Sequence, residues 1–161
     1  MSFIHRHRVL VVLAALVLAL STATSSLATG LSKGQTIYVP AYSHIYSGNR
    51  EQPFLLTVTV SIRNIDPHHP LTVDTVDYYE TQGKLLKHCL EKPFQLGPLE
   101  SFRYIIAEKD ESGGSGANFI VTWHSQENTN PPIVETIMIG TQFQQGISFT
   151  SRGQVIEGDR P

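Results

Sequence analysis

The chain has 161 residues, 40% of them hydrophobic and 16% charged, with a formal net charge of −2 and one cysteine. These values exclude an intrinsically disordered chain, a collagen-like repeat and a disulfide scaffold. The acidic balance leaves no basic excess to attract a phosphate backbone, so nucleic acid is not expected as a partner.

The N-terminal stretch differs from the rest. His5-Arg6-His7-Arg8 is followed by an uninterrupted apolar run from Val9 to Leu20 and then by small polar residues up to Gly30. A basic region, a short apolar region and a small-residue region are the three parts of a secretory signal peptide. Ser26 and Ala28 stand at the −3 and −1 positions, which predicts cleavage after Ala28 and a periplasmic or secreted protein. The alternative is an uncleaved anchor, the one membrane contact this reading foresees, although the apolar run is shorter than the roughly 18 to 20 residues a spanning helix wants. Removing residues 1–28 takes away Arg6 and Arg8 but no acid, so 10 basic residues face 14 acidic ones in what remains. Residues 29–161 are long enough to bury a core as a single domain without crosslinks. Cys89, having no second cysteine to pair with, reads as a small hydrophobe within Lys84 to Leu90.

Strand patterns dominate that domain. Leu56, Val58, Val60 and Ile62 alternate with Thr57, Thr59, Ser61 and Arg63, the clearest half-buried strand in the chain. Asn64 to Pro70 breaks it with two prolines. Leu71 to Glu80 resumes, with a change of phase near Asp74-Thr75 that predicts a bulge. Gln82-Gly83 reads as a hairpin turn into Lys84 to Leu90, and Pro93 to Pro98 as a connector. Ser101 to Glu108, the stretch around Phe119, Val121 and Trp123, and Ile133 to Thr141 follow as strands, with shorter ones at Ile37 to Val39 and Ile147 to Thr150. About seven or eight strands predict an all-β sandwich with immunoglobulin-like or fibronectin-like layering, a small barrel being the competing architecture.

Three polar stretches read as loops: Pro40 to Pro53, the glycine-rich Asp110 to Asn118, and Gln142 to Gly153. Loops on a rigid framework are where binding usually resides, and Tyr42, His44, Tyr46, Asn118, Gln145, Ser151 and Arg152 are the candidate binding residues. The expected function is a non-catalytic module that binds an envelope protein or a glycan, with no cofactor.

Chemical motifs are sparse. Gly113-Gly114-Ser115-Gly116-Ala117 lacks the following Lys of a phosphate loop and the final Gly of a nucleophile elbow, and it leads into a strand. It reads as a connection needing positive φ. The five histidines downstream of the leader show no tight metal-ligand spacing. Long-range convergence of His44, His88 and His124 is the rival reading, an envelope enzyme or metal-binding protein. Asp74, Asp77, Glu80, Asp110 and Glu111 are acid/base candidates by residue type alone. Tyr78-Tyr79, Phe119 and Trp123 stand at alternating positions beside Val and Ile and read as core rather than as a sugar platform.

Gly34 to Tyr46, Ser112 to Phe119 and Gln145 to Gly153 together resemble the small exported bacterial family catalogued as domain of unknown function 3124. The resemblance implies a bacterial origin and an envelope location, and it carries no catalytic or binding assignment. Its three motifs coincide with the three polar stretches, which predicts that they converge on one surface.

Overall fold

The computed structural model describes residues 30–46, 51–142 and 144–158. The predicted leader, residues 1–28, lies outside them. Twelve strands occupy the described residues: β1 (Ser32–Pro40), β2 (His44–Tyr46), β3 (Pro53–Leu55), β4 (Thr57–Arg63), β5 (Leu71–Tyr79), β6 (Leu85–His88), β7 (Phe94–Leu96), β8 (Ser101–Ile106), β9 (Asn118–Thr129), β10 (Ile133–Gln142), β11 (Gln145–Arg152) and β12 (Gln154–Gly158). A single 3-10 turn at Gly114–Gly116 precedes β9.

Sheet I runs β12-β1-β9-β5-β6, with β7 also paired to β5; sheet II runs β11-β10-β4-β8. Every pairing is antiparallel, and β2 and β3 form a separate hairpin. Neither sheet closes on itself, so the architecture is a sandwich and not the barrel that competed with it. The alternation in β4 places Val58, Val60 and Ile62 fully inside, together with Leu56 just before the strand. Opposite them sheet I contributes Trp123, Phe119 and Tyr78, and the inner faces of both sheets form one hydrophobic cluster. Each fully buried aliphatic side chain there stabilises the fold by roughly 1.5 to 3 kcal/mol. The expected bulge is present: the β5–β9 register shifts between Val73 and Thr75, which leaves Asp74 and Thr75 both off the core.

The eight predicted strands are all present, and four more were not foreseen. β2, β3 and β7 have three residues each, too few to show a period, and β7 lies inside the Pro93 to Pro98 segment expected to be a connector. β12 is exposed along its whole length and so carries no apolar alternation. The third polar stretch is a partial correction: the short strand expected at Ile147 to Thr150 runs from Gln145 to Arg152 as β11, the edge strand of sheet II, so the stretch is not a loop, and its outward residues are polar because they face water. Gly153 then lets the chain cross from sheet II to sheet I. A Cβ there would come within 2.6 Å of Ile37 Cγ2 and 3.0 Å of Val134 O.

Candidate functional site

The first two polar stretches and the β5–β6 hairpin meet at one end of the sandwich, here the upper end. Ala41 N–H donates to Ala117 O at 2.8 Å, and Ser43 N–H donates to Gly114 O at 3.0 Å. The Ser43 hydroxyl donates to Gly114 O and Glu111 O at 3.1 and 3.3 Å. From the other side Thr81 N–H and Oγ1 both reach Gly113 O, at 2.9 and 3.0 Å, and Thr81 Oγ1 accepts from Gly116 N–H at 3.0 Å. Two glycines are required here by geometry. Gly114 sits at φ 78°, and a Cβ on Gly113 would overlap Tyr78 Oη. The glycine-rich stretch is therefore the structural connection its sequence context predicted. Gly83, at φ 83°, closes the adjoining hairpin as expected, in a three-residue turn of Thr81, Gln82 and Gly83.

This clasp fixes the course of the chain into β2 and so places His44 and Tyr46. Their rings meet nearly edge to face, with centroids 5.2 Å apart, and His44 Nε2 lies 3.1 Å from Tyr46 Oη. His44 Nδ1 is buried without a hydrogen-bond partner among the described residues, while Tyr46 is 53% exposed. Tyr42 packs on Phe149 of β11 with ring centroids 5.7 Å apart. Asn118 opens β9 opposite Pro40 and Tyr79, and Gln145 opens β11 opposite Gln142, near the β2–β3 hairpin, since a Cβ on Gly140 would meet Leu55 O.

Ser151 and Arg152 do not join this group. Arg152 pairs with Glu135, seven residues along β11 from Gln145, a separation of roughly 24 Å for an extended strand. Two of the three stretches therefore converge and the third runs down the length of sheet II. The cleft beside Arg152, about 380 Å³, is bordered by Gln35, Ile65, Pro132 and Val155.

The histidines are dispersed. His88 Nδ1 lies 2.8 Å from Asp77 Oδ1, and His124 Nδ1 lies 2.9 Å from Asp74 Oδ2, both pairs on the outer face of sheet I. His44 is at the upper end with Tyr46. Among the described residues no three His, Cys, Asp or Glu side chains are placed to hold one metal ion. Cys89 packs against the core, and burial pushes its thiol up to about 12, which keeps it protonated at neutral pH.

The sequence did not reveal a buried carboxylate at the opposite, lower end. Asp66 is 3% exposed and accepts from the backbone N–H groups of Asn130, His68 and His69 at 3.0, 2.9 and 2.8 Å. These bonds, that of Asn130 foremost, hold its carboxyl well below the usual carboxylate range despite burial. Asn64 beside it donates through Nδ2 to the carbonyls of His69 and Gly97, each at 2.9 Å. Asn-x-Asp-Pro was legible only as a turn; Asn130, 64 positions away, is supplied by the fold.

None of the curated proteins matches this chain. The solved structure titled Thermotoga maritima 1070 is similar over 80% of this chain and 97% of that one, at 13% identity and a TM-score of 0.46. The family model described as a protein of unknown function, DUF3124, matches residues 34–156, and the chain belongs to that family.

Proposed function

We propose that the chain is an exported, non-catalytic binding module of the bacterial envelope that takes a protein or a glycan at its upper end. The reading of residues 1–28 as a secretory leader supports the location. One observation carries the binding reading: the Ser43–Thr81–glycine clasp holds the segment before β2 in place by hydroxyl and N–H bonds to the glycine carbonyls, and beside it an exposed Tyr46 ring stands against His44, whose buried Nδ1 is unpartnered among the described residues. An exposed tyrosine ring seated on a neighbouring side chain is the kind of residue on which contact hot spots centre. Tyr42, Asn118 and Gln145 border the same end, and Ser151 and Arg152 are left to other roles.

Replacing Tyr46 with a photo-crosslinking phenylalanine derivative tests this in living cells, together with co-sedimentation of the purified protein on isolated cell-wall glycan. A discrete adduct with one envelope protein, or sedimentation with the glycan, is expected. His44→Ala should weaken the interaction about tenfold or more with little change in melting temperature. Neither adduct nor sedimentation, or indifference to His44→Ala, overturns the proposal.

A further inference from the structure

The outer face of sheet II is chemically unlike the rest of the molecule. Strand alternation and register put Arg103 of β8, Ser61 of β4, Glu135 of β10 and Arg152 of β11 in one cross-strand row on that face. Arg63 lies one pleat repeat along β4 from Ser61, its side chain half exposed and 3.6 Å from Glu135. These three are all the arginines among the described residues, and Glu135 is the one carboxylate that the four strands turn outward. The face is thus formally cationic on a chain whose net charge is −2. The next rows toward the upper end carry isoleucines, with Ile105 and Ile139 each 52% exposed. No aromatic ring lies on this face among the described residues: Phe102, Tyr104 and Phe149 occupy the inward positions of their strands.

We propose that this face docks on a bilayer surface rich in anionic lipid. Three arginines spread over a sheet face about 14 Å wide suit an array of phosphate headgroups better than a single small anion. The exposed isoleucines beside them can enter the headgroup boundary, where exposed aliphatic surface is favourable. A sugar polymer would call for stacking rings, and the face offers none. Membrane contact would then come from the folded domain itself, independently of residues 1–28 and of the binding reading given to the upper end.

The purified protein is mixed with vesicles of phosphatidylcholine alone or of phosphatidylcholine with 30% phosphatidylglycerol, and the bound fraction is measured by sedimentation over a salt series. Binding only to the anionic vesicles is expected, weakening as salt screens the charges. Each arginine near such a surface is worth about fivefold in affinity, so R103A/R152A should lose about 25-fold. Glu135→Gln should gain several-fold, which a variant that merely damages the fold cannot do. I105S/I139S should weaken binding and keep its salt dependence. Four results overturn the proposal: no binding to anionic vesicles, no response to the arginine and Glu135 variants, binding to phosphatidylcholine alone that these variants do not change, which assigns the contact to the leader, or retention on an anionic polysaccharide without vesicle binding.

Discussion

The two ends of the sandwich are closed by different chemistry. At the lower end a buried carboxylate, Asp66, gathers three backbone N–H groups and the Asn130 side chain, joining the turn after β4 to the segment after β9. At the upper end two hydroxyls, Ser43 and Thr81, and a run of glycines do the equivalent joining, with no ionised group in the contacts. The lower closure depends on charge and therefore on pH; the upper one depends on shape. The upper closure thus leaves the charged and aromatic side chains around it free for other uses, while Asp66 is fully engaged within the fold.

Breaking the lower end should have the largest effect. Asp66→Ala leaves three part-buried backbone N–H groups without their acceptor and is expected to lower the melting temperature by roughly 15 °C in a thermal scan. The pH dependence has a definite sign. Because the folded pKa lies below the unfolded value, the stabilisation is complete above about pH 4 and is lost as the pH falls from there toward the folded value. Asp66→Asn should therefore flatten the acid limb of the stability profile, and an acid limb identical to that of the wild type would show that another group controls it.

The upper end should break next, and without regard to pH. Gly113→Ala drives a methyl group into Tyr78 Oη and the Ala117 methyl, at a cost of about 3 kcal/mol or roughly 10 °C. Equal losses at pH 4 and pH 7 would separate this steric closure from the ionic one. The smallest effect belongs to the open face of sheet I. His88 and His124 are 68% and 50% exposed in their pairs with Asp77 and Asp74, and alanine at either should change stability by no more than about 0.5 kcal/mol. A larger loss would mean that these pairs brace the sheet as the ends do.

The strand framework was largely legible, because a strand with one wet face and one dry face writes its period into the chain. β4, β5, β8 and β10 could be placed from alternation and turn residues alone, down to the bulge after Val73. Alternation failed where no dry face exists or the run is too short: β12 is exposed throughout, and β2, β3 and β7 have three residues each, while of β11 only Ile147 to Thr150 was legible. The candidate site was half legible. Tyr42, His44, Tyr46, Asn118 and Gln145 lie toward one end as their motifs suggested, whereas Arg152 stands at the far end of β11, a strand legible in the sequence only over Ile147 to Thr150. Thr81 escaped notice because nothing local marks a hydroxyl whose partners are more than 30 positions away.

By itself the sequence determined the all-β class, the two-faced strands and the glycine-rich turn, because each depends on neighbours within a few residues. Only the tertiary structure decided that Asp66 reaches Asn130, that Ser43 and Thr81 grip the same glycines, and that the described arginines share one face. Those are facts of strand order and register, which set the distance between residues that the chain itself holds far apart.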